Sequence, residues 1–95
     1  MFVVTVTFTL KPGKRGAFLP LMVENASTSL REEIGCRQFD VCLGDEPETV
    51  FLYEVYDDSA AFSAHLESAH FQSFDTAVAD MIATKVVHKY SEVIR

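Results

Sequence analysis

The chain has 95 residues, 48% of them hydrophobic, which fits one domain over residues 1–95 and excludes an unstructured polypeptide. A net charge of −6, with eight lysines and arginines scattered along the chain, repels phosphate backbones and anionic lipid and leaves no footprint for nucleic acid. No apolar run approaches the roughly 20 residues of a membrane span and no basic leader with a cleavage site opens the chain, so a soluble, cytoplasmic protein without membrane contact is expected.

Residues 2–10 alternate strictly, with Phe2, Val4, Val6, Phe8 and Leu10 on one side and Val3, Thr5, Thr7 and Thr9 on the other. This reads as a strand whose greasier face meets the helices. Lys11 to Lys14 turn the chain by their Pro-Gly pair, and Phe18, Leu21, Met22, Asn25, Ala26, Ser29 and Leu30 then recur at helical spacing. That helix is expected to run to about Glu33 and stop at Gly35, with Pro20 forcing either a bend or a start nearer Leu19. A second strand, Cys36 to Leu43, puts Phe39, Val41 and Leu43 on one face, and Gly44 to Glu48 turn the chain into a third strand, Thr49 to Tyr56. On the third strand Val50, Leu52, Glu54 and Tyr56 share a side, while Phe51, Tyr53 and Val55 occupy the other. Asp57 or Asp58 caps the next helix, Ser68 caps its continuation, and Phe71, Phe74, Val78, Met81 and Ile82 form the buried stripe. The last strand is expected over Lys85 to Ile94.

The order β-α-β-β-α-β fits an α+β, ferredoxin-like layer: a four-stranded antiparallel sheet with the helices on one face. A chain this short buries only about 60–65% of its unfolded surface, and Phe51, Tyr53 and Val55 would face water in a monomer. A homodimer packed sheet to sheet, a dimeric α+β barrel, answers both points. Cys36 and Cys42 fall on one strand roughly 20 Å apart, beyond the about 7 Å of a disulfide, which fits a reducing compartment and thiols used as small core or interface residues.

The most informative feature for chemistry is the pair His65 and His70, interleaved with Phe62, Phe71 and Phe74 instead of standing in a polar loop. Imidazole is the side chain best suited to move protons near neutral pH. On one continuous helix, residues five apart differ in direction by about 140°, so the two would not share a metal. A helix break at Ser68 would let them converge, but no third ligand stands out, and no metal is expected. Phosphate-cradling glycine motifs, a nucleophile elbow and dinucleotide fingerprints are absent, so no flavin, nicotinamide or other cofactor is implied.

Taken together, Lys11-Pro-Gly13, Asn25 with Ser29, Glu33-Ile-Gly-Cys36, Phe39-Asp-Val41, Tyr53-Glu-Val-Tyr56, Ala61-Phe-Ser-Ala-His65 and Ser68-Ala-His-Phe71 resemble the antibiotic biosynthesis monooxygenase domain family. That family comprises small dimeric ferredoxin-like proteins and includes cofactor-free quinol oxygenases. The resemblance implies that His65 lies in a cleft between the sheet and the second helix, and the alternation of the third strand points Glu54 and Tyr56 toward the same cleft. His65 is then the candidate base, with Glu54 and Tyr56 as its polar supports and Glu54 able to hold a proton or orient the imidazole. Asn25, His70, Phe39, Phe62, Phe71 and Phe74 are the candidate substrate contacts. The implied activity is cofactor-independent monooxygenation of a small aromatic or quinol-like compound.

Asn25 and Phe39-Asp-Val41 also look like the branch that isomerises a phosphorylated autoinducer-2 derivative, a reading in which Arg31, Arg37 or Lys85 would hold the phosphate. More distantly, the layout is similar to haem-degrading members, which use an Asn, a Trp and a His. Here Val6 and Tyr56 stand where the first two would be, so haem degradation is not implied. A third reading from another class is a dimeric ligand-binding module without chemistry, since this fold also serves for sensing.

Overall fold

The alternating run at the N-terminus forms β1 (Phe2–Leu10), and its inward row of Val4, Val6, Phe8 and Leu10 is buried. The computed structural model describes residues 1–95 and continues with α1 (Arg15–Glu32), β2 (Cys36–Leu43), β3 (Thr49–Tyr56), α2 (Ser59–Glu67), α3 (Ala69–Val78), a single 3₁₀ turn (Ala79–Met81) and β4 (Ile82–Tyr90). The strands are antiparallel in the order β2-β3-β1-β4, with β1 central against both β3 and β4. This is the ferredoxin-like arrangement. No helix is long and apolar enough to cross a membrane.

The core lies between the sheet and the helices. Val50, Leu52, Glu54 and Tyr56 of β3 join the β1 row, and Phe18 and Met22 of α1 and Phe74 and Val78 of α3 close it from above. Phe18 packs edge-on against both Phe8 and Phe74, with ring centroids 5.1 and 5.9 Å apart. Such pairs contribute about 0.5–1.5 kcal/mol each beyond the area they bury.

Several boundaries differ from the sequence expectation. Helix α1 begins at Arg15, not near Leu19, and carries Pro20 inside it. The proline nitrogen has no N–H for the Gly16 carbonyl, a loss confined to one bond near the helix start. Leu21 and Leu30 are exposed, so the buried stripe of α1 is Phe18, Met22, Asn25, Ala26 and Ser29. Met81 and Ile82 lie beyond the end of α3, and β4 starts at Ile82 and ends at Tyr90 instead of spanning Lys85 to Ile94. A register shift at Thr9/Leu10 lets Ile82 pair with Leu10.

The outer face is less uniform than alternation implies. Val55 and its cross-strand partner Val3 are buried within the single chain and Tyr53 is half-buried, while Phe51 of β3 and Tyr90 of β4 are exposed. A bulge between Cys36 and Gln38 shifts the parity of β2, turning Cys36 into the core while Cys42 pairs with Phe51 on the outer face. The two thiols therefore do not share a face. Strand β4 stays exposed along nearly its whole length, including Val86 and Val87.

Candidate active site

Helix α2 starts where the Asp58 side chain accepts a hydrogen bond from the Ala61 N–H at 2.8 Å, and it ends at an extended Ser68. Ser68 serves two helices. Its Oγ donates to the His65 carbonyl at 2.7 Å and accepts from the Phe71 N–H at 3.2 Å, closing α2 and capping α3. That interruption re-aims His70, whose ring centroid comes within 6.1 Å of the His65 ring.

What joins the two rings is Glu33, the residue just past α1. Its Oε2 lies 2.8 Å from His65 Nδ1 and 2.6 Å from His70 Nε2. His65 is almost completely buried, while Glu33 and His70 are mostly so. In the sequence Glu33 stands out as the end of a helix and as part of the Glu33-Ile-Gly-Cys36 motif, without a site role. The available signal was electrostatic, because an acidic side chain at a helix C-terminus opposes the macrodipole and needs a compensating partner.

Glu54 and Tyr56, two residues apart on β3, point into the same interior. The Tyr56 hydroxyl donates to Glu54 Oε1 at 2.6 Å. Burial pushes the Glu54 carboxyl up to about 7, against the opposing pull of the Tyr56 hydrogen bond and of Lys85. Burial and the neighbouring Glu54 push the Tyr56 phenol well above its ordinary range. Burial pulls His65 below the ordinary imidazole value, with the Glu33 contact working the other way. Neither Glu54 nor Tyr56 hydrogen-bonds His65, so the expectation that Glu54 orients the imidazole is corrected: Glu33 holds it. Tyr56 is fully buried, its hydroxyl bonded to Glu54 and its ring 5.6 Å from the His65 ring.

His65 and Glu54 share the wall of a largely apolar cavity with Asn25, Phe39, Phe62, Phe71 and Phe74, so five of the six expected contacts line one space. His70, the sixth, stands in a neighbouring groove between α1 and α3, where Asn25 and Phe74 also form part of the wall. The Phe62 ring stacks on His65 with centroids 6.2 Å apart, and Phe71 lies 5.0 Å from the same ring. Lys85 also lines the cavity, its Nζ over the Phe8 and Phe71 rings at 5.5 and 5.6 Å. Arg31 pairs with Glu32 and Arg37 with Asp57, both at the surface. Asn25 Oδ1 and Glu33 Oε1 are buried without a hydrogen-bond partner.

The antibiotic biosynthesis monooxygenase family pattern matches residues 1–77. Among solved structures, a Nitrosomonas europaea protein provisionally assigned as an antibiotic biosynthesis monooxygenase superposes with a TM-score of 0.93 at 31% identity, over 99% of this chain and 100% of that one. Rv0793 from Mycobacterium tuberculosis gives 0.90 at 22% identity, over 99% of this chain and 96% of that one. PA3566 from Pseudomonas aeruginosa gives 0.89 at 21% identity, over 98% and 94%. No curated protein sequence matches the chain.

Proposed function

The chain belongs to the antibiotic biosynthesis monooxygenase family, and from that premise we propose that it oxygenates a small quinol-like compound without a cofactor, with His65 as the base. One observation carries the reading. A buried imidazole has Nδ1 beside a carboxylate at 2.8 Å while its other nitrogen has no protein partner, and the ring borders an aromatic cavity. A carboxylate so placed keeps the proton on Nδ1 and the lone pair on Nε2.

In the proposed reaction the quinol O–H gives its proton to His65 Nε2. The electron-rich anion passes one electron to dioxygen, and the radical pair joins as a C–O bond to give a carbon-bound peroxide. The hydrogen on that carbon leaves as a proton while the O–O bond breaks, so that a C=O forms and the departing hydroxide becomes water. Quinol and dioxygen thus give a hydroxyquinone and water, with all four electrons supplied by the substrate. Glu54, holding a proton up to about pH 7, is a hydrogen-bond donor for the developing charge, and apolar walls keep water from the peroxide. The enclosed part of the cavity holds about 50 Å³, less than the about 150 Å³ that admits a benzene ring. A ring-sized substrate therefore uses the open side beside Lys85 and Val87 of β4.

Lys85 on the cavity wall favours a second reading, isomerisation of a small phosphorylated dicarbonyl, because it is a cation within reach of an anionic group. Dioxygen uptake with a panel of quinols and anthrone-like phenols, wild type against His65→Ala, tests the first. The substitution is expected to lower turnover by about 10²–10⁴-fold, the usual contribution of a general base. Uptake unchanged by it removes His65 from the mechanism. Turnover of a dicarbonyl with no phenol consumed favours the isomerase, and binding without turnover favours a ligand-binding module. The same reading includes a homodimer formed through the outer face of the sheet.

A further inference from the structure

We propose that Glu33, His65 and His70 form a binding site for one divalent transition-metal ion of the zinc or iron(II) class. The ligands come from the end of α1, the last turn of α2 and the first turn of α3, and Glu33 Oε2, His65 Nδ1 and His70 Nε2 lie within 4.8 Å of one another. A tetrahedral ion with bonds of about 2.0–2.2 Å sets its ligand atoms roughly 3.3–3.6 Å apart. The carboxylate oxygen is 2.8 and 2.6 Å from the two nitrogens, so these two contacts lengthen by roughly 0.5–1 Å around the ion.

The surroundings of this junction supply acceptors and few protons. Ser29 Oγ lies 3.4 Å from His65 Nδ1 and 3.2 Å from His70 Nε2, while its own proton goes to the Asn25 carbonyl at 2.8 Å. Ser68 Oγ lies 3.2 Å from His70 Nε2, and its proton goes to the His65 carbonyl. Both hydroxyls therefore turn lone pairs toward the histidines. His70 Nε2 has three oxygens within reach and one proton to give, and Glu33 Oε1 is buried with no partner at all. Buried acceptors left over in this way call for a cation. Two imidazoles and one carboxylate with further positions open are a donor set for zinc or ferrous iron. The groove of about 200 Å³ in which His70 stands beside Glu24, Thr28 and Ser73 offers a polar route from solvent.

The inference goes beyond the oxygenase reading and limits it. An ion on His65 Nδ1 leaves the ring proton on Nε2, so a metal-loaded molecule has no base there, and metal occupancy arrests the proposed turnover.

Tag-free protein, stripped with a chelator, is titrated with cobalt(II) by visible absorption and with zinc by calorimetry. One equivalent per chain is expected, with zinc raising Tm. Glu33→Gln and His70→Ala should each weaken binding by more than about tenfold, whereas His88→Ala and Cys42→Ser should leave it unchanged. Absence of saturable binding in the wild type, or equal affinity in both ligand variants, overturns the site. If Glu33→Gln fails to fold by circular dichroism, His70→Ala, at a partly exposed position, carries the comparison. The metal titrations need no turnover. Binding lost with dioxygen uptake intact defeats the metal site alone, and binding intact with no uptake by metal-free protein defeats the oxygenase reading alone.

Discussion

Glu33 precedes His65 by 32 residues, yet its Oε2 lies 2.8 Å from that ring's Nδ1. In the proposed reaction the pair is a base with its orienting carboxylate, assembled from the end of one helix and the last turn of another. Replacing Glu33 by Gln keeps the shape and removes the charge that fixes the tautomer. The expected outcome is a drop in kcat for dioxygen uptake of about 10²-fold, at the lower end of what general-base catalysis supplies, with KM little changed. Steady-state kinetics on metal-free protein checks this. A variant whose KM rises while kcat holds would make Glu33 a substrate contact instead.

Glu54 gives a stability signature with a definite sign. Its carboxyl has a folded-state value of about 7 against an ordinary 4.5, so between those values the folded chain holds a proton that the unfolded chain has lost. Stability therefore falls as pH rises through that window. At about 1.4 kcal/mol per tenfold in proton affinity, the full effect is on the order of 3 kcal/mol. His65, held below the ordinary imidazole value, acts in the opposite direction, with stability lost as pH falls below about 6.5. The contrast with Glu54→Gln separates the two. The variant should match wild type near pH 4.5 and gain on it steadily up to pH 7, read as the urea midpoint across a pH series. A constant difference would mean that Glu54 titrates normally.

Both β2 and β3 were legible to the residue, because β-prone runs rich in Val, Phe, Leu and Tyr are bounded by turn residues at Gly35, at Gly44 to Glu48 and at Asp57. The ends of α3 and β4 were not, since Val78, Met81 and Ile82 fit the apolar stripe of a continuing helix as well as the start of a strand. The cavity-facing aromatics and His65 were readable from spacing and family resemblance. The partners of Glu33 were not readable, because they come from α2 and α3 across the fold, and an acid at a helix C-terminus says only that some partner is needed. The opposite faces of Cys36 and Cys42 follow from a bulge that alternation cannot reveal.

Gly35 fixes the approach of α1's end to α2. A Cβ built on it would lie 2.5 Å from the Ala61 Cβ, and its carbonyl accepts the Asp57 N–H at 2.9 Å. In Gly35→Ala either the turn or the first turn of α2 must move. Overpacking of this kind costs about 1–3 kcal/mol. For a chain of this size that corresponds to a Tm lowered by roughly 5–20 °C, measured by thermal unfolding. An unchanged Tm would show that α2 shifts freely and that its position does not fix the site.

The outer face of the sheet carries one continuous row in register: Cys42, Phe51, Thr7 and Val86, one from each strand. Phe51 and Val86 are 36% and 48% exposed in the single chain, which puts this row at the centre of the proposed sheet-to-sheet homodimer. A stable interface buries about 800 Å² per partner around such a core. Phe51→Arg places two like-charged guanidinium groups near the symmetric contact, where desolvation and repulsion oppose association. The wild type should sediment as a dimer at micromolar concentration and the variant as a folded monomer with an unchanged circular dichroism spectrum. Phe51 lies on the face opposite the His65 cavity, so a monomeric variant also reveals whether turnover needs the second subunit. A wild type that sediments as a monomer removes the dimer from the proposal.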